Sequence, residues 1–270
     1  PENCVAWGSK PTASNFMGGN LNGIRKSLSY LAELGVECIY LNPVFASPSN
    51  HKYDTTDYYK VDPHFGSNED LRILVKEAHE KHIRVILDAV FNHTGTEFFA
   101  FADLLKNQEK SEYQSWYHIT CFPVREEADC YECFFGFAGM PKLNTGNEKV
   151  QEYFLNVLEY WVRKVQVDGY RFDVIDEIDE NFVLKIRDRL KRLNPELILI
   201  GETWAEGKRL LNGCEMDSIM NYSFRQAMLD FFAERSINAE TFGHRLETAL
   251  SRHPDETNMA MFNALDTNDT

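Results

Sequence analysis

Long apolar runs are missing from this chain. None of its 270 residues lies in an uninterrupted hydrophobic stretch long enough to span a bilayer. Basic residues are also scarce. Lysine and arginine number 28 against 42 acidic residues, for a formal net charge of −14. That balance argues against a nucleic-acid or anionic-membrane surface and suits a neutral ligand, although plain solubility asks for the same charge. Short repeats and low-complexity segments are absent. No signal-like segment begins at Pro1, and a chain starting without Met is expected to be cut from something longer.

Cysteines are few and scattered: Cys4, Cys38, Cys121, Cys130, Cys133 and Cys214. Cys38 falls inside a strand-like run, where a buried free thiol is ordinary. Cys130-Tyr131-Glu132-Cys133 is a lone C-x-x-C with Cys121 nearby. A second such pair and a histidine at finger spacing are both lacking, which disfavours a metal or redox site. Reduced thiols in a cytoplasmic protein are the expectation.

What is present is enough apolar material for one large core, with 43% hydrophobic and 26% charged residues. Strand-like and helix-like patterns alternate. Glu37 to Phe45, Arg84 to Asn92, Gly169 to Val174 and Leu197 to Thr203 read as buried strands. Asp217 to Tyr222 and Met259 to Leu265 are weaker fifth and sixth candidates. Ile24, Leu28, Leu31 and Leu34 recur at helical spacing before Gly35, a residue suited to a helix C-terminus. Ser67 and Asp70 have capping-box spacing ahead of Leu71, Leu74, Val75 and Ala78. Val150, Phe154, Val157, Trp161 and Val165 form a third stripe, and Phe182, Ile186 and Leu190 a fourth that ends before Pro195. Repeated β-α units imply an α/β fold with a parallel sheet and right-handed crossovers.

Two of these runs end on acids. Asp173 closes Gly169-Tyr170-Arg171-Phe172-Asp173, and Glu202 closes Leu197-Ile198-Leu199-Ile200-Gly201-Glu202. If the runs are adjacent parallel strands, both carboxyls emerge at one end of one sheet. Paired carboxyls in a cleft suit acid–base and covalent work on a glycosidic bond. Arg171 lies two residues before Asp173, so on a strand both face the same side. A fixed guanidinium there favours the charged carboxylate, although an R-x-D strand taken alone fits a structural ion pair as well. The connection between His93 and Asn147 is abnormally long and rich in aromatics, including Trp116, Tyr117, Phe134 and Phe135. Such loops are usually functional or form a small subdomain.

Four stretches occur in order: Asp88-Ala89-Val90-Phe91-Asn92-His93, Gly169 to Asp173, Gly201-Glu202-Thr203-Trp204 and Leu265-Asp266-Thr267-Asn268-Asp269. They resemble the four motif regions of the α-amylase family, glycoside hydrolase family 13. Met140-Pro141-Lys142-Leu143-Asn144 resembles a motif of its neopullulanase, cyclomaltodextrinase and maltogenic amylase subgroup. Asn50 to Thr55 with Asp57-Tyr58 looks like that subgroup's loop after the second barrel strand. The resemblance runs over essentially the whole chain.

It implies a (β/α)8 TIM barrel, incomplete here with about six strands. Residues 1–93 and 147–270 would form the partial barrel. Residues 94–146 would be a small inserted domain after the third barrel strand. The family's first strand would precede Pro1 and its eighth would follow Thr270. With two open hydrophobic edges, the isolated segment is expected to fold poorly alone. A cooperative thermal transition in a soluble monomer would refute that.

The resemblance also assigns roles. Asp173 resembles the nucleophile, Glu202 the general acid/base, and Asp269 the third acid that binds sugar hydroxyls. Glu202 must hold a proton near neutral pH, which burial and negative neighbours would favour. A retaining mechanism implies carboxyls roughly 5–5.5 Å apart. Tyr53 and His93 look like glycone-subsite residues, and Trp204 like an acceptor-subsite or core residue. Asp88 and Asn92 look like structural members of the first motif. The equivalent of Asn92 ligates calcium in many amylases, yet this subgroup often does without the ion, so no cofactor is assigned and calcium is left open.

One departure is Asn268, where the family has histidine before the third acid. Asn can donate to a hydroxyl but carries no charge. A loss of ~1–3 kcal/mol in transition-state stabilisation is expected. The expected ligand is an α-glucan oligosaccharide, cyclodextrin or pullulan, and the full-length form is expected to be a homodimer. Two classes stay open: a retaining α-glucan hydrolase, and a non-catalytic glycan-binding or accessory protein with an amylase-like fold.

Overall fold

A computed structural model describes residues 5–6, 8–10, 12, 15–127 and 129–267. Its elements run α1 (Leu21–Glu33), β1 (Cys38–Leu41), β2 (Phe45–Ala46), β3 (Asp57–Val61), α2 (Asn68–His79), β4 (Arg84–Ala89) and α3 (Phe99–Asn107). They continue with α4 (Glu148–Val165), β5 (Gly169–Phe172), α5 (Glu180–Leu193), β6 (Ile198–Gly201), β7 (Ser218–Ile219), α6 (Tyr222–Met228), α7 (Ala239–Leu250) and α8 (Asp255–Met259).

Local chemistry explains the helix ends. The Asn20 side chain accepts from Gly23 N–H and opens α1. Beyond its end, Gly35 adopts φ +85°, a left-handed value that favours glycine. The capping box of Ser67 and Asp70 is formed at α2. The stripe of α4 is buried, and Trp161 Nε1 donates to the Tyr58 carbonyl at 2.8 Å.

β1, β4, β5, β6 and β7 form one sheet in that order, every pair parallel. This is the α/β pattern of a partial barrel. The fifth strand shrinks to Ser218–Ile219, because Asn221 caps α6 and turns the chain into a helix. The sixth candidate is corrected: α8 occupies its start, and only an isolated parallel bridge joins Met220 to Phe262. The first run also divides. Pro43 has no N–H to donate, and Phe45–Ala46 pairs instead with β3 in an antiparallel ribbon. Gly169 is required where β5 meets β6, since a Cβ there would lie 2.1 Å from the Ile198 carbonyl oxygen.

Register sets the site. Asp88 on β4 pairs with Arg171 on β5, and Phe172 pairs with Gly201 on β6. Asp173 and Glu202 therefore leave the sheet side by side, at the carboxyl end that barrel enzymes use.

Residues 94–146 hold α3, several short 3-10 turns and isolated bridges that tie His93 to Lys142 and Cys133 to Pro141. The expectation of reduced thiols is corrected here. Thr120 N–H donates to the Cys130 carbonyl, so Cys121 and Cys130 approach to a Cα separation of 4.8 Å and form a disulfide. Cys133, the other half of the C-x-x-C, stays a free thiol.

The loop before β3 is held by a buried charge. Lys52 has φ 70° and donates to the Ser47 carbonyl at 2.9 Å and to Asp62 at 2.8 Å. Phe16 lies under its ammonium at 4.8 Å. Burial pushes Asp62 up, but the hydrogen bonds from Lys52 and His64 outweigh it and leave the carboxyl below its ordinary value. A depressed acid adds stability above its unfolded pKa and loses it as pH falls through the folded value. Lys52→Met is expected to cost about 3 kcal/mol at neutral pH by leaving Asp62 buried without its cation. Urea unfolding at pH 7 and pH 3 checks this. The deficit should narrow at pH 3, and an equal deficit at both would contradict it.

Candidate active site

Arg171 is the hub. Its side chain is buried, and Nη1 donates to both Asp88 oxygens at 3.0 Å and to Asp173 Oδ1 at 2.7 Å. Nη2 lies 2.9 Å from Glu202 Oε2. The two motif acids are thus bridged by the two ends of one guanidinium. Glu202 Oε2 also accepts from Val174 N–H at 2.8 Å, and Val174 takes the left-handed φ of 47°. That turn after β5 presents Asp173 and Glu202 to the same space.

The electrostatics follow from burial. Burial and the charge of Asp88 push Asp173 well above the usual carboxylate range, against the pull of Arg171. Burial likewise raises Asp88, and Arg171 opposes it. For Arg171, burial works to lower the value, but the charges of Asp88 and Asp173 outweigh it, so the guanidinium is held charged. Arg171 therefore holds Asp173 as expected, yet it does not bring the acid below its ordinary value, because desolvation is the larger effect.

A cavity of about 430 Å³ opens over the acids, lined by His51, Tyr53, Phe134, Phe135, Asp176 and Trp204 among others. Phe135 is 84% exposed and Trp204 64% exposed, although both side chains are large and apolar. Trp204 stacks on Tyr222 with ring centroids 3.9 Å apart, so its outer face is free for a flat partner.

The structure gathers Asp173, Glu202, Arg171 and Tyr53 into one cluster and sets Trp204 on its rim. His93 is placed differently. It is fully buried behind the cavity, stacked on Phe134 at 4.7 Å. Burial lowers its pKa to about 4, so the ring is neutral at neutral pH. Asn268 and Asp269 lie outside the described residues. Asn92 is buried beside His93. Its Nδ2 faces His93 Nδ1 at 3.3 Å, and among the described residues no three acidic, histidine or cysteine side chains group to hold a metal.

Tyr40 was missed, and Asp88 was read only as a structural member of the first motif. Tyr40 hydroxyl donates to Asp88 Oδ2 at 2.5 Å, and Tyr53 hydroxyl donates to the same oxygen at 3.2 Å. The signal was weak: a tyrosine within an apolar strand reads as core. Phe134 and Phe135 stood out only as aromatics in a long connection.

Parallel β-α units with a polar cluster at the carboxyl ends of their strands define a β/α-barrel protein whose working face is that end. The chain belongs to the α-amylase family, whose catalytic-domain model matches residues 7–270. Its relatives place it in the neopullulanase and cyclomaltodextrinase subgroup. It is 48% identical over 272 residues to a cyclomaltodextrinase of Thermoanaerobacter pseudethanolicus, covering 100% of this chain and 47% of that protein. Identity to the intracellular maltogenic amylase of Bacillus subtilis is 44% over 271 residues, covering 100% of this chain and 46% of that one. The solved cyclic alpha-maltosyl-(1→6)-maltose hydrolase from Arthrobacter globiformis, in complex with maltose, superposes with a TM-score of 0.95. The identity is 35%, over 100% of this chain and 62% of that chain. The chain spans about half the length of the curated relatives it matches. No helix among the described residues is long and apolar enough to cross a membrane.

Proposed function

We propose that this chain carries the catalytic centre of a retaining α-glucan hydrolase acting on α-1,4 and related bonds of maltooligosaccharides, cyclodextrins or pullulan. The observation that supports it most is the pair of buried acids, Asp173 and Glu202, held by one guanidinium at the floor of an aromatic-rimmed cavity.

In this reading Asp173 attacks the anomeric carbon as Glu202 gives its proton to the departing glycosidic oxygen, leaving a covalent glycosyl ester. Glu202, now a carboxylate, takes a proton from water. That water attacks the same carbon and frees Asp173, so configuration is retained. Three carboxyls face one guanidinium, and full ionisation would leave excess negative charge buried. The cluster therefore holds on to a proton as a unit, which the first step consumes.

Tyr53 and the faces of Phe135 and Trp204 offer platforms to sugar rings. His93, neutral at the working pH, donates to a sugar hydroxyl once the Phe134 ring moves off it. Asp269 and Asn268 are assigned to the same ring's hydroxyls, and residues 94–146 to a small inserted domain that supplies the rim. One of the relatives above is intracellular by name, which supports a cytoplasmic setting. The Cys121–Cys130 pairing weighs against it. Homodimer formation belongs to the full-length form in this reading.

Incubating the full-length protein with β-cyclodextrin tests the proposal. Reducing ends should appear, and NMR should show the α-anomer first. Tight binding of β-cyclodextrin without turnover would favour the accessory-protein reading, and a β-anomer first product would overturn retention.

A further inference from the structure

Tyr40 touches no part of the cavity, yet it is tied to the acids that line it. It stands on β1, and the phenol reaches Asp88 on β4, the next strand. From Asp88 the contacts run to Arg171 on β5, and from Arg171 to Asp173 and Glu202. Four neighbouring strands are thereby joined by one chain of polar contacts at their carboxyl ends. We propose that Tyr40 is a positioning residue for the Asp173–Glu202 pair, acting through Asp88 and Arg171. The inference rests on the retaining-hydrolase reading of that pair.

Asp88 Oδ2 accepts from Tyr40, Tyr53 and Arg171, and the bond from Tyr40 is the shortest of the three. Tyr53 lines the cavity, where a bound sugar would compete for its hydroxyl, whereas Tyr40 is not among the residues that line it. Its ring is wedged edge-on against Phe262 with centroids 6.3 Å apart, which fixes the direction of the hydroxyl. Burial and the charge of Asp88 raise the phenol far above its ordinary value, so it stays protonated and donates at every working pH.

Without that donor, Asp88 is a less stable carboxylate and takes a proton at higher pH. Arg171 then has less negative charge on the β4 side, and its field falls more fully on Asp173 and Glu202. The groups facing this network are Tyr40 from β1, Tyr53 from the loop before β3, Asp88 from β4, Arg171 and Asp173 from β5, and Glu202 after β6. Asp269 lies outside the described residues. A cation released towards Asp173 lowers that carboxyl, so the acid limb of a bell-shaped rate profile, set by ionisation of the nucleophile, moves to lower pH.

Tyr40→Phe in the full-length protein keeps the ring and its contact with Phe262 and removes only the hydroxyl. The expected result at neutral pH is a kcat lowered by about ten-fold with KM nearly unchanged, and the acid limb shifted to lower pH by about half a unit or more. Paired with Asp88→Asn, the substitution should add little to the shift that Asp88→Asn produces alone. Carbon-13 NMR of labelled aspartate carboxyls reads the same network without turnover. Asp88 should titrate higher and Asp173 lower in Tyr40→Phe. A wild type that hydrolyses with a bell-shaped profile, beside a Tyr40→Phe variant with the same acid limb, would overturn the proposal. A wild type without turnover would overturn the functional reading, and the carboxyl titrations would then decide for or against the network.

Discussion

Asp173→Asn is expected to lower turnover of β-cyclodextrin and maltooligosaccharides by roughly 10⁴-fold or more, with a melting temperature that holds or rises. In the proposed mechanism the loss follows from removing the group that forms the covalent bond. The stability follows from the cluster. Burial and Asp88 hold the Asp173 carboxyl well above its ordinary value, so its charge is a burden on the folded state that a neutral amide of the same shape removes. Activity and stability therefore move in different directions, which separates a chemical role from a packing role. Glu202→Gln should share the loss on natural glucans but lose far less on an α-glucosyl fluoride, whose leaving group needs no proton. Steady-state kinetics on both substrates, with thermal unfolding of both variants, give the comparison. Equal losses on the two substrates in Glu202→Gln would contradict the assignment of the proton to that residue.

Arg171→Met carries the largest expected effect on stability. Arg171 faces Asp88, Asp173 and Glu202 within salt-bridge distance, and all four side chains are buried. Removing that cation leaves buried carboxyls facing each other, at about 5 kcal/mol, the top of the range for breaking a buried pair. The sign of the pH dependence is set by Asp88 and Asp173, whose folded pKa values are raised. Their folded forms bind more protons than the unfolded chain does, so their contribution to unfolding free energy grows as pH falls. Arg171→Met should therefore recover part of its deficit between pH 7 and pH 5. A deficit that is constant or deepens on acidification would mean that the carboxyls are not the cause. The test is denaturant unfolding of the full-length protein at the two pH values.

The acids and their arginine were readable because each stands at the end of an apolar run. Parallel β-α units place such ends on one face of a sheet. The stripes of α1, α2, α4 and α5 were readable for a related reason, since each helix buries one face against the sheet and its period survives in the sequence. What was not legible depends on distance between strands rather than on pattern along one. Tyr40 and Asp88 are 48 residues apart, and only the register of β1 on β4 brings the phenol to the carboxyl. The pairing of Cys121 with Cys130 depends on a local turn that the C-x-x-C spacing concealed. The sixth strand failed because Met259 to Leu265 has strand-like composition, yet Asp255–Met259 closes a short helix first. Burial of His93 behind Phe134 was invisible for the same reason, since the two residues come from separate ends of the long connection.

In the proposed mechanism Asp173 becomes bonded to the sugar. The direct test is to trap that bond with a fluorinated α-glucosyl fluoride, which slows release of the glycosyl group more than its attachment, and to sequence the labelled peptide by mass spectrometry. One sugar is expected on the peptide containing Gly169 to Val174, assigned to Asp173 by fragmentation and absent from Asp173→Asn. A protein that turns over β-cyclodextrin while the label rides on another residue would contradict it.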